Sequence, residues 1–314
     1  MVGYLAVRSA GPHLHQAIRD LGGAQRDWIA VAGLCFLSAA TATAAAWRSA
    51  LTASGGSMSF VDTTARYAVG SLVNTFVPMR LGDAVRIGLL SRAFERTGRI
   101  VTTTGLFAFL GIVRVAALTL LLLPAAALGI LPLEMLVLAG AVLAVAIAVV
   151  LCLPRRVEGL VGRFFDALRV VGRSPAATMR VLGWLLLSSA ARVGAAAASA
   201  SALGVSKPLV AAAIIVPALE VSSLVPLTPG NFGVTSGVVA LALHAQGVDT
   251  ATALAVGIGF HAIETVVGVS FGFGGLLRVG ALALPRARRI AALAVGFAAF
   301  VALAAFVGVF LDVP

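Results

Sequence analysis

The chain runs to 314 residues, 60% of them hydrophobic and 11% charged, with a mean hydropathy of +1.06. Soluble domains average about 45–50% apolar and about 25% charged residues, so a soluble globular domain is excluded. At about 20 apolar residues per bilayer crossing, the length is taken up by crossings and short connections. The net charge of +11 comes from 22 Arg and one Lys, Lys207, against 12 acidic residues. The arginines gather in several short stretches, which is how a multi-pass protein sets its orientation and not how a nucleic-acid face is built. No nucleic-acid partner is expected.

Taken in chain order, residues 1–27 carry Arg8, Arg19 and Arg26 without the apolar core and small-residue site of a cleaved signal. They are expected to lie on the bilayer surface. Apolar runs of spanning length then follow at Trp28–Trp47, Val101–Leu123, Pro132–Leu153, Val181–Leu203, Ala251–Leu277 and Ile290–Leu311. Two further apolar stretches, 58–96 and 208–246, are interrupted near their middles. Pro78 and Gly82 break the first, and Pro229, Gly230 and Gly233 break the second. Each interrupted stretch reads as a helix, a breaker and a second helix.

An offset of 151 lays Pro229 on Pro78 and Gly233 on Gly82, and brings the later runs near the earlier ones. A span, a broken hairpin, a span and a span recur in that order, a pattern that points to a transport site at a repeat interface. The expected fold is an all-α polytopic membrane protein of two inverted repeats, each with a broken or re-entrant helical hairpin. Its parts are an interfacial segment (1–27), repeat 1 (28–153), a cytoplasmic linker (154–180) and repeat 2 (181–314). The arginine-rich stretches 80–99, 154–180 and 278–289 belong in the cytoplasm. The arginine-free turns at 124–131 and 204–206 belong outside.

No catalytic signature stands in the chain. It has no paired Asp-x-Asp, His-Glu-x-x-His, Cys-x-x-Cys or phosphate-binding glycine loop. Gly268-Val269-Ser270-Phe271-Gly272 lies inside an apolar run, where small residues serve helix packing. Cys35 and Cys152 also lie in apolar runs, without the spacing of a disulfide framework or a metal site. No catalytic residue, metal or cofactor is expected.

Charged and polar residues at membrane depth are costly and mark function by default. Arg114 and Glu264 lie mid-span at near-equivalent repeat positions, so they are expected to pair across the repeats, either to fix helix packing or to gate, with Arg192 a rival partner for Glu264. His261 stands one helical turn before Glu264 on the same face. Around the breaks lie Asn74, Arg80, Asp83 and Arg86 in the first hairpin, and Glu220, Thr228 and Asn231 in the second. Breaks in membrane helices free backbone groups that attract ions. Arg80 and Arg86 would suit a lipid phosphate, and Asp83 and Glu220 a cationic or hydroxylated headgroup.

Residues 70–86, Gly-Ser-Leu-Val-Asn-Thr-Phe-Val-Pro-Met-Arg-Leu-Gly-Asp-Ala-Val-Arg, resemble the first signature of the lysylphosphatidylglycerol synthase transmembrane-region family: an Asn, a Pro, then basic-x-Gly-acidic and a following Arg. Pro226-Leu227-Thr228-Pro229-Gly230-Asn231-Phe232-Gly233-Val234 is similar to its second, Pro-Gly-x-x-Gly-Val. Departures are Asp83 where Glu is commoner, Thr235 where an acid often follows Gly-Val, and Val113 where an acid often precedes the Arg. The resemblance implies inverted repeats with re-entrant helices, of the type that moves aminoacylated phospholipid between leaflets. With the chain ending at Pro314, no aminoacyl-transferase domain is expected.

The expectation is thus a translocase of a phospholipid or lipid-linked sugar in a bacterial inner membrane, not an enzyme, with an anionic or lipid-linked lipid as partner. Asn74, Arg80, Asp83, Arg86, Glu220 and Asn231 would bind substrate, and Arg114, Glu264 and His261 would gate. Two alternatives stand beside it. One is a non-catalytic partner, homo-oligomeric or bound to a glycosyltransferase or lipid-modifying enzyme. The other is an intramembrane enzyme using Asp83, Glu220 and His261.

Overall fold

The computed structural model describes residues 16–17, 19–77, 81–95, 98–127, 164–166, 174–222 and 234–283, with isolated positions between 137 and 148. Among the described residues the chain is helical and has no strand. The main helices are α1 (Arg26–Ala53), α2 (Phe60–Phe76), α3 (Leu81–Leu90), α4 (Arg99–Ala127), α5 (Pro175–Ala202), α6 (Pro208–Ser222), α7 (Val234–His244) and α8 (Thr250–Ala283). Four of them, α1, α4, α5 and α8, are long and apolar enough to cross a bilayer. The chain is therefore an all-α, multi-pass membrane protein. The expected spans at 132–153 and 290–311 lie outside the described residues, apart from a few helical positions in the first.

Local chemistry sets the helix ends. Ser59 caps α2, its hydroxyl accepting a hydrogen bond from the Asp62 amide, and the helix stops at Val77, whose backbone turns extended ahead of Pro78. Helix α5 begins at Pro175, six residues before the apolar run at Val181. The Ser174 hydroxyl caps it and proline suits its first position, so the helix takes residues that charge alone assigns to the linker. Gly55, after α1, and Gly204, after α5, both adopt positive φ. There the Gly56 and Val205 amides donate to the carbonyls of Leu51 and Ala200, closing both helix ends in the same way.

Helices α1 and α5 form the central pair and run antiparallel. The Gln25 amide donates to the Ala202 carbonyl at one end, Ser188 and Thr43 share a hydrogen bond of 2.8 Å midway, and Trp47 and Leu51 meet Val181 and Leu185 at the other. Alanines 39, 42, 46 and 50 keep α1 slim, as membrane helix pairs that rely on van der Waals contact require.

Two apolar cores occupy opposite ends of this pair. One gathers Trp47, Leu90, Phe94, Leu106, Phe109 and Leu185 from α1, the α3–α4 region and α5. The other gathers Phe36, Ile215, Leu219, Val239, Val256 and Phe260 from α1, α6, α7 and α8.

At 1.5 Å per residue the 17 residues of α2, both of whose ends are described, span about 25 Å, under the ~30 Å hydrocarbon core. Helix α2 packs antiparallel on α8. A Cβ on Gly275 would meet Ala65, one on Gly272 would meet Leu72, and Arg278 pairs with Asp62 at 3.2 Å. This register carries Phe76, the last residue of α2, to within about a turn of Glu264 on α8.

Candidate functional site

The first cluster is built where α2 and α3 fold against each other. Tyr67, Ser71 and Asn74 fall on one face of α2, at the spacing of successive helical turns. Asp83 and Arg86 face them from α3. Asn74 Nδ2 donates to Asp83 Oδ1 at 3.0 Å, and Arg86 Nη1 donates to the same oxygen at 2.7 Å. Arg86 Nη2 donates to Ser71 Oγ at 3.0 Å, and its guanidinium lies 4.4 Å from the centre of the Tyr67 ring. Such stacking of a desolvated cation adds to the ion pair. Arg86 is buried, and its Nε has no hydrogen-bond partner.

Two glycines permit this approach. A Cβ on Gly82 would strike the Gly70 carbonyl and the Asn74 side chain, and one on Gly70 would come within 2.6 Å of Arg86 Cβ. The breaker Gly82 therefore does more than interrupt a helix, since only a hydrogen side chain lets α3 reach α2.

The second cluster lies at mid-depth and draws on four helices. Arg114 of α4 bonds Glu220 near the end of α6 at 2.5 Å, and Arg192 of α5 meets Glu264 of α8 at 3.3 Å. The expected Arg114–Glu264 pair is not made. Arg114 takes Glu220 instead because α4 packs on α6, a contact that the offset between repeats does not reveal. The rival partner, Arg192, is the one that Glu264 holds.

His261 is buried one helical turn before Glu264. Buried or half-buried charges in a membrane need partners, and each of these carboxylates has one on another helix.

At one end of the α2–α8 seam lies a third contact. Ser59 Oγ donates to Asp62 Oδ2 at 2.8 Å, and with Arg278 it holds the Asp62 carboxyl below the usual carboxylate range.

Of the expected site residues, Asn74, Asp83 and Arg86 come together in the first cluster, and Arg114, Glu220, Glu264 and His261 in the second. Arg80, Asn231, Thr228 and the breakers Pro78, Pro229, Gly230 and Gly233 lie outside the described residues. Tyr67 and Ser71 were not singled out by sequence. Their spacing from Asn74 was the available signal, but it has no meaning until α3 is placed against that face. No group of three potential metal ligands occurs among the described residues.

No curated protein and no solved structure matches the chain. The family model of the lysylphosphatidylglycerol synthase TM region, a membrane domain linked to lipid modification or translocation, matches residues 5–272. With the interrupted hairpins and the ion pairs at membrane depth already in place, that match over most of the length means that the chain belongs to the lysylphosphatidylglycerol synthase TM-region family.

Proposed function

We propose that the protein is a lipid translocase of a bacterial inner membrane, which passes a phospholipid or lipid-linked sugar headgroup between leaflets along a polar seam while the acyl chains stay in the bilayer. The observation that carries this reading is the meeting of Arg114, Glu220, Arg192 and Glu264, from four helices, at mid-depth. A static helix bundle gains little from such pairs, because desolvation offsets their attraction. A path for a charged headgroup needs them.

The hairpins are read as re-entrant. Glu220, in the last described turn of α6, reaches the middle of α4, and the end of α2 comes within about a turn of Glu264. The antiparallel run of α1 and α5, which are equivalent in the 151-residue offset, supports inverted repeats, as do their matching glycine ends. On this reading the chain is a transporter and not an enzyme. Asp83, Glu220 and Glu264 are each engaged by an arginine rather than presented to a reacting bond. Arg86, with its free Nε, would receive the phosphate, and Asn74 and Asp83 would hold the hydroxylated or cationic part.

The test uses purified full-length protein in vesicles of phosphatidylcholine and phosphatidylglycerol with a trace of fluorescent phosphatidylglycerol. Dithionite quenching that stops at the outer leaflet in protein-free vesicles should go to completion with the protein, and R86Q should slow it. Quenching that still stops at the outer leaflet would leave the non-catalytic partner reading in its place. A change in lipid mass would indicate an enzyme.

A further inference from the structure

Resting on the translocase reading, we infer that headgroup movement is coupled to a proton carried by Glu264: the phosphate of an anionic lipid takes Arg192 from Glu264, and the released carboxylate takes up a proton.

Two ion pairs share this region, and they are not alike. Arg114 and Glu220 are joined at 2.5 Å, whereas Arg192 and Glu264 stand at 3.3 Å. The looser pair is the one a competing anion can open. A phosphate offers a guanidinium the same paired oxygens as a carboxylate, so it can replace Glu264 on Arg192 without leaving that cation unpaired.

The displaced carboxylate then stands at membrane depth without its partner, where an isolated charge is far costlier than a neutral acid. Arg114 of α4 is already held by Glu220, so it cannot serve as a full replacement. Neutralisation by a proton is the remaining course. His261, buried on the same helix one turn away, is placed to pass that proton.

The surroundings offer few competitors among the described residues. Helix α5 contributes Arg192, α4 contributes Arg114, and α6 contributes Glu220 behind it. Helix α2 packs Tyr67 against Phe271 of α8. Between Trp28 and Trp47, α1 has only the Cys35 thiol, and α7 has no titratable group before His244 at its far end. A guanidinium beside each carboxylate also occupies the place a metal cation would need. Lipid anion and proton thus enter together, cross as a neutral pair, and leave together as Arg192 and Glu264 rejoin.

The experiment imposes a pH gradient on the proteoliposomes described above, with membrane potential clamped by potassium and valinomycin. One proton per phosphatidylglycerol predicts about a tenfold excess of the fluorescent lipid in the leaflet facing the alkaline side per pH unit. The excess should reverse with the gradient. E264Q, which cannot exchange a proton, should lose the asymmetry whatever rate remains.

Movement in the wild type with an even distribution overturns the coupling and leaves the translocase reading standing. Asymmetry that persists in E264Q overturns the assignment to Glu264. No movement of the probe at all overturns both. Should E264Q fail to fold, proton uptake by the detergent-solubilised wild type on addition of phosphatidylglycerol decides: about one proton per bound lipid supports the coupling, and binding without uptake overturns it.

Discussion

At the scale of single residues, Arg114 carries the most information because its partner was the least obvious. It lies mid-span and cannot easily reach water, so a carboxylate must come to it. The carboxylate is Glu220, supplied by a helix distant in sequence. Removing one member of such a pair leaves an uncompensated charge and costs about 3–5 kcal/mol, whereas replacing both members can be nearly neutral. R114Q and E220Q should each lower the melting temperature and the folded yield, and R114Q with E220Q should regain most of both. E264Q combined with R114Q should show no comparable rescue, since Glu264 is held by Arg192. Thermal unfolding in detergent of the singles and both doubles measures this, and rescue by E264Q in place of E220Q would contradict the observed pairing.

At the scale of elements, the hairpin of α2 and α3 depends on close approach more than on apolar burial. Gly70 and Gly82 lie where any side chain would meet backbone or the Asn74–Asp83–Arg86 network. Gly88, on the same short helix as Gly82, faces open space. G82A should force the limbs apart and cost about 1–3 kcal/mol, in the range of overpacking. G88A should be neutral or stabilising by about 0.5–1 kcal/mol, the ordinary helix-propensity difference. Comparing their melting temperatures with R86Q shows whether the glycine acts by spacing the helices. Equal effects of G82A and G88A would mean that the contact at Gly82 does not matter.

At the scale of the whole molecule, the arginine distribution and the packing bear on the same question of orientation. The start of α1 lies against the end of α5, since the Gln25 amide reaches the Ala202 carbonyl, so residue 25 and the turn at 204–206 share one side. The stretch before Ser174 is arginine-rich and that turn is not, so the charge rule predicts the turn outside, against the pull of Arg8, Arg19 and Arg26 on the same side. In a variant with Cys35 and Cys152 replaced, a cysteine at Ser206 should react with an impermeant thiol reagent in intact cells, and one at Ser174 should react only after permeabilisation. The opposite labelling would reverse the orientation while leaving the helix packing untouched.

What the amino-acid sequence determined by itself was everything that depends on local composition. Long apolar runs become α1, α4, α5 and α8, because in hydrocarbon a helix alone satisfies its own backbone. A proline ends α2 where the Val77-Pro78 step requires extended backbone. Charges isolated in apolar runs, such as Arg114, Glu264 and Arg192, announce that partners exist. Tertiary structure alone decided which partners they are, because a guanidinium bonds whichever carboxylate helix packing brings within reach. The repeat offset favoured Arg114 with Glu264; the contact of α4 with α6 chose Glu220 instead. It also turned Tyr67 and Ser71 from unremarked helix residues into the support of Arg86, since a helix face has no role until another element lies against it.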